Sequence, residues 1–209
     1  LRDSPAAAER LSQLLSSSRP MTDLLEDASA SIAWLDKVAD LKPLGEEALA
    51  SEVSSLLARH DDAAEAMRAV RYLRRRETLR TAMGWTLGIV DVEDTCAGLA
   101  AIDECTIGAA LQIALRELQS TAEEFEAGET AGEQLLTRIA VIGMGRLGGA
   151  ENGFGSDADV MFVHQPLDGV DEDAAQEQAA RIVNRTLALL KQPVKPAIRA
   201  CLLYTSPSP

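Results

Sequence analysis

Val141 to Val163 reads VIGMGRLGGAENGFGSDADVMFV, and this stretch decides the fold. An apolar segment, Arg138 to Ile142, leads into a glycine-rich turn, which opens onto a second apolar segment headed by Asp157 and Asp159. Strand side chains alternate between faces, so acids at i and i+2 share one face and can hold one hard cation between them. A metal held there could organise a triphosphate delivered by the glycine turn. Strand, glycine turn and acid-bearing strand together predict a metal and nucleotide site with Asp157 and Asp159 as ligands.

A solvated turn would also explain Gly155-Ser156-Asp157, which is good turn chemistry. Against it, Asp159 stands among Ala158, Val160, Met161, Phe162 and Val163, where an unpartnered carboxylate would be costly to desolvate. Gly143, Gly145 and Gly148 also fit the dinucleotide fingerprint G-x-G-x-x-G. Its context is missing. A parallel crossover needs about 10–12 residues including a helix, and Gly149 to Ser156 is both shorter and interrupted by Gly153 and Gly155. The ribose-binding acid of such folds follows the second strand, about 20 residues beyond the fingerprint, whereas these acids begin it. A dinucleotide-dependent oxidoreductase is the distant alternative, which nicotinamide binding would reveal.

Upstream the pattern is helical. Ala7 to Leu15, Met21 to Leu35 and Glu46 to Arg59 read as helices, broken at Ser16 to Pro20 and at Pro43 and Gly45. From a cap at Asp61 or Asp62 another helix follows, with Ala66, Val70 and Leu73 on one face and Arg68, Arg71 and Arg75 on another. Those arginines read as a solvated or salt-bridged face, with contact to the catalytic region or a ligand phosphate as the alternative. Leu111, Leu115, Leu118, Ala122 and Phe125 form an unbroken helical stripe expected in the core, ending before Gly128 and Gly132. After the second strand, Asp168-Gly169 turns the chain into a helix from Asp171 to Lys191, acidic at its start and basic at its end.

The run GMGRLGGAENGFGSDADVMFV resembles the catalytic signature of the bifunctional glutamine synthetase adenylyltransferase/adenylyl-removing enzyme family, within the polymerase-β-like nucleotidyltransferases. RYLRRRETLR at Arg71 to Arg80 and LGIVDVE at Leu87 to Glu93 resemble the segment leading into each catalytic half, so the resemblance runs from about Ser4 to Leu190. It implies an α+β chain, a mainly helical region (1–137) followed by a truncated polymerase-β-like core (138–200). It implies transfer of AMP from ATP to a tyrosine of glutamine synthetase, with Mg²⁺ on Asp157 and Asp159. The backbone N–H groups of Gly145, Gly148, Gly149 and Gly155, unshielded by any Cβ, would then approach the phosphates, and Ser156 would donate its hydroxyl to the same group. Arg146 would pair with a phosphate, with an ordinary exposed arginine as the equal alternative. The wording Gly155 to Val163 is closer to the attaching half, especially of actinobacterial relatives, than to the phosphorolytic, adenylyl-removing half. The implied partners are glutamine synthetase and a PII signal protein. Asn152 departs from the pattern, since relatives place an apolar residue after Glu151, and this puts the packing of the turn in question.

The superfamily completes its metal site with a third carboxylate on a later strand, which is not found here. Cys201 to Pro209, CLLYTSPSP, resembles the translation of a sequencing adaptor and is set apart from the fold. With no initiator methionine and no signal-peptide pattern, the expectation is an internal fragment of a longer enzyme, inactive alone. The 209 residues carry 46% hydrophobic but only 3% aromatic residues and a formal charge of −13. That charge opposes nucleic-acid binding, which rests on Lys and Arg neutralising phosphates. No run approaches the roughly 20 apolar residues of a membrane span, so no membrane role is expected. Cys96, Cys105 and Cys201 lack metal or disulfide spacing, consistent with a reducing cytoplasm, and His60 and His164 stand isolated.

Overall fold

The computed structural model describes residues 4–17, 25, 29–126, 134–191 and 200–202. Gly128, Gly132 and residues 203–209 lie outside them, as do the side chains of Ala122 and Phe125.

Helix α1 spans Pro5–Ser17, with proline at its first position and the Ser4 hydroxyl accepting from the Ala7 N–H at 3.4 Å. Leu25 is helical, but Ser29–Asp36 and Val38–Leu41 wind as 3₁₀ turns, not the α-helix expected from Met21 to Leu35. Helix α2 is Glu46–Leu57, burying Leu49, Val53 and Leu57 at four-residue spacing. Helix α3 is Ala63–Thr86, and the Asp62 carboxylate caps it by accepting from the Glu65 N–H at 2.8 Å. Helix α4, Val92–Glu126, is capped in the same way by Asp91, which accepts from the Asp94 N–H.

Leu111, Leu115 and Leu118 on α4 pack only at the margin of the core; its centre is the adjacent stripe of Ile107, Ala110, Ile113 and Ala114. Small residues there let α4 lie close to its neighbours. Over Val92–Gln119, α4 is long and apolar enough by composition to cross a membrane, contrary to the sequence expectation. The reason is burial: 61% of that window is inside the protein, against α2, α3 and the last long helix. It is the central helix of a core.

Strand β1 (Thr137–Gly143) and strand β2 (Ala158–Pro166) pair antiparallel, from Thr137 opposite Pro166 to Gly143 opposite Val160. Between them, Gly145–Gly148 makes one helical turn, α5. Antiparallel pairing rules out a βαβ unit, so the glycine fingerprint has no dinucleotide context. Helix α6, Glu172–Lys191, packs on both strands and on α4. Strand β3, Ala200–Leu202, pairs parallel with the start of β2, so Asp159 faces Cys201 in register.

A single apolar core joins the helices to the sheet. Met67, Val70, Ala110, Ile113, Leu147, Ala158, Val160, Ile182 and Leu189 all belong to it. A second cluster, around Leu14, Leu35, Leu41, Leu79 and Met83, seats α1 and the 3₁₀ segments on the end of α3.

The arginines of α3 are the principal fasteners. Arg71 is buried and donates to the carbonyls of Leu189 and Leu190 at the end of α6, at 2.5 and 2.9 Å. It is thus not part of a solvated face, and the contact with the sheet-bearing region is the one realised. Burial and the nearby Arg74 charge lower its pKa, without threatening its protonation. Arg76 and Arg80 enclose the buried Glu77 carboxylate at 2.6 and 2.8 Å, and Arg80 stacks over Trp34. Only Arg68, exposed beside Glu65, fits the solvated description.

Candidate metal and nucleotide site

β2 begins with the alternation that places the acids. Ala158 and Val160 point into the core, at 1% exposure each, so Asp157 and Asp159 are directed to the other face of the sheet. Asp157 is exposed and Asp159 half-buried. The desolvation argument made from its apolar neighbours therefore does not apply, because the neighbours at 158 and 160 occupy the opposite face. The strand period turns Asp159, and Asp157 just before β2, away from that core.

The glycine turn is anchored beside them. The Met144 N–H donates to the Asp159 carbonyl at 2.8 Å, extending the β1–β2 ladder one residue into the turn. Gly145 follows with φ +52°, and a Cβ on it would stand 3.4 Å from Asp159 Oδ2. Glycine thus permits both the left-handed backbone and the close passage of the chain by the carboxylate. Leu147, the apolar residue of the turn, is driven into the shared core at 2% exposure. Gly148 passes so close to Gly143 that a Cβ would lie 2.4 Å from its carbonyl oxygen.

The N–H groups expected to face phosphate divide into two kinds. Those of Gly148 and Gly149 are spent inside the turn, on the carbonyls of Met144 and Gly145, both at 3.1 Å. Those of Gly145, Arg146 and Gly155 have no partner among the described residues, as expected for the opening of a helical turn and for a loop glycine at φ +75°. Ser156 closes its own loop: its Oγ accepts from the Gly153 N–H at 2.9 Å, leaving its hydroxyl hydrogen to donate elsewhere. The Arg146 side chain is exposed.

The turn ends in a Schellman arrangement, with Ala150 N–H on Leu147 O at 3.1 Å and Glu151 N–H on Arg146 O at 2.7 Å. Ala150 takes the left-handed position, φ 54°, that glycine usually fills.

Asn152, the departure from the pattern, is fully buried. Its Nδ2 donates to Asp103 Oδ2 at 2.9 Å, and Asp103 Oδ1 accepts from Arg74 Nε and Nη2 at 3.1 and 2.8 Å. Helices α3 and α4 thereby reach the turn through one chain of polar contacts. The sequence carried no sign of this, since its members are 29 and 49 residues apart.

Among the described residues no three acids, histidines or cysteines come together as a metal cage. His164 is occupied by the Thr137 hydroxyl at 3.2 Å, and burial pushes the Cys105 thiol up, away from reactivity. A cleft of about 940 Å³ lies between the start of α2 and the start of α4, lined by Lys42, Glu46, Asp91 and Gly98 and by none of the candidate residues.

Comparison with known proteins supplies the family. A profile described as glutamate-ammonia ligase adenylyltransferase matches residues 8–198. The chain belongs to this family. It is 42% identical over 183 residues to the bifunctional glutamine synthetase adenylyltransferase/adenylyl-removing enzyme of Leifsonia xyli subsp. xyli, covering 88% of this chain and 17% of that protein. The enzymes of the same description from Streptomyces coelicolor and Nocardia farcinica are 41% and 40% identical, over 92% of this chain and 20% and 19% of theirs. The chain therefore spans about a fifth of the length of these adenylyltransferase relatives. The match runs through both the arginine-rich helix and the glycine turn.

Proposed function

We propose that this chain carries the start of a polymerase-β-like nucleotidyltransferase site, the adenylyl-attaching half of an enzyme that moves AMP from ATP to a tyrosine of glutamine synthetase. The observation that supports it best is the placement of Asp157 and Asp159 at the head of β2, alternating with the buried Ala158 and Val160, with the turn so near that a Cβ on Gly145 would stand 3.4 Å from Asp159 Oδ2. Two carboxylates on the open face of a strand suit Mg²⁺, which takes a few protein oxygens and leaves its other positions to water and phosphate. Mg²⁺ bound there would offset phosphate charge and lower the cost of deprotonating the acceptor phenol.

The chain's own residues would do the rest by positioning. The N–H groups of Gly145, Arg146 and Gly155 and the Ser156 hydroxyl would donate to phosphate oxygens, and the Arg146 guanidinium would reach in from solvent. Gly148 and Gly149 would serve by lacking side chains, since their N–H groups hold the turn closed. The reading extends to a cytoplasmic enzyme regulated with a PII signal protein, acting on neither nucleic acid nor membrane.

The test is Mn²⁺ titration by water-proton relaxation, paired with transfer of label from [α-³²P]ATP to glutamine synthetase by a protein of full family length. Asp157→Asn and Asp159→Asn should each remove the Mn²⁺ signal and reduce labelling by about 100-fold or more, the scale on which loss of transition-state charge stabilisation is felt. Undiminished labelling in Asp159→Asn would end the proposal. Phosphate-dependent removal of label without attachment would reassign the site to the phosphorolytic reaction. The 209-residue chain alone should transfer no detectable AMP, having two carboxylates where the superfamily uses three; turnover lost on Asp159→Ala would overturn that expectation.

A further inference from the structure

Asp103 takes no part in the proposed chemistry, yet its carboxylate ties both long helices to the end of the glycine turn by hydrogen bonds. It sits in the first half of α4 at 6% exposure. Its Oδ1 takes a forked pair of bonds from Arg74 of α3, and its Oδ2 takes the Asn152 amide, five positions before Asp157. Both oxygens of this buried carboxylate are thus engaged, one by a guanidinium and the other by a neutral amide donor.

The Asn152 side demands an explanation of its own. Its Oδ1 is buried with no partner among the described residues, a desolvation cost that an apolar residue would avoid. The orientation is set by chemistry, because turning the amide would face its oxygen against the Asp103 carboxylate. The bond from Nδ2 to Asp103 is what the buried amide gains. Leu147 holds the near end of the turn by apolar burial; Asn152 holds the far end by this bond, and Asp157 and Asp159 follow it directly. The segment from Gly153 to Ser156 closes on itself and has no other side-chain bond to the helices among the described residues.

We propose that Asp103 is a positioning residue for the metal site: through Asn152 it fixes the level at which the chain enters β2, and so the placement of Asp157 relative to Asp159. The proposal rests on the reading of those two aspartates as metal ligands. Groups that orient ligands from behind typically affect metal affinity about 10–100-fold, and Asp103, acting through the backbone, belongs at the lower end.

The test uses Asp103→Asn, which keeps size and an oxygen for Arg74 but sets an amide donor against the Asn152 donor. Mn²⁺ affinity of the full chain should fall about tenfold, and hydrogen exchange at the Gly153 and Ser156 amides should quicken by a similar factor while α6 keeps its protection. The reciprocal pair Asp103→Asn with Asn152→Asp re-forms the bond in the opposite sense and should recover a substantial part of both losses. A lowered Tm with unchanged Mn²⁺ affinity and turn exchange would make Asp103 merely structural and overturn the proposal. Equal losses in the single and double variants would overturn it too. If wild-type Mn²⁺ binding is indifferent to Asp159→Asn, the metal reading itself has failed; exchange at Gly153 and Ser156 then still reports whether Asp103 fixes the turn.

Discussion

The arginine-rich stretch of α3 and the glycine turn before β2 are both dense in groups suited to phosphate chemistry, but they are finished in opposite ways. Along α3, Arg71, Arg74, Arg76 and Arg80 are each committed to a carbonyl, a carboxylate or an aromatic face within the protein. At the turn, the side chains of Asp157 and Asp159 and the N–H groups of Gly145, Arg146 and Gly155 have no hydrogen-bond partner among the described residues. Cationic residues alone are thus a poor guide to a ligand site. Internal satisfaction separates a fastener from a site, because a polar group already paired in the fold has little left to offer a ligand.

Disrupting the fastened side should cost the most stability. Glu77→Ala would leave Arg76 and Arg80 without their 1%-exposed common partner and should destabilise the fold by about 3–5 kcal/mol in urea unfolding. Its Mn²⁺ affinity, measured below the transition, should match wild type; a parallel loss would erase the distinction between the regions. Gly148→Ala works from the other side. The added methyl meets the Gly143 carbonyl, so about 1–3 kcal/mol of strain is expected, with Mn²⁺ affinity falling as the turn shifts.

Smaller changes sharpen the contrast. Ala150→Gly relieves a left-handed alanine and should stabilise by about 1 kcal/mol without altering the aspartates, read as a raised Tm at constant metal affinity. Glu104 on α4 has its pKa raised by partial desolvation and by the Glu46 and Asp103 carboxylates. A carboxyl with a raised folded pKa favours folding below its unfolded pKa and loses that contribution as pH rises through the folded value. Glu104→Gln should therefore raise Tm slightly near pH 7 and not near pH 3. The side chain is exposed, so the shift should be the smallest of the four and should shrink further in salt.

Local chemistry was readable in the sequence. The Asp62 cap, the alternation that buries Ala158 and Val160 on either side of Asp159, and the lack of room for a crossover helix all depend on neighbours a few residues away. Partnerships over distance were not. Nothing near Arg71 announces that its acceptors are Leu189 and Leu190, and nothing near Asn152 announces Asp103. The single turn Gly145–Gly148 is too short to show helical periodicity, so the inward use of the Gly148 and Gly149 N–H groups was hidden. The 3₁₀ winding of Ser29–Asp36 was missed for a similar reason: alanine and leucine content favours helix in general, while packing against α3 and α1 selects the tighter form.

Arg71 also sets a timetable. Its carbonyl acceptor at Leu189 lies 118 residues downstream, which at about 5–20 residues per second of synthesis means an interval of about 6–24 s before the acceptor exists. Throughout that interval these two acceptors do not exist, and the face of α3 beside Val70 has no α6 to cover it. The arginine-rich helix is made well before the helix that closes it.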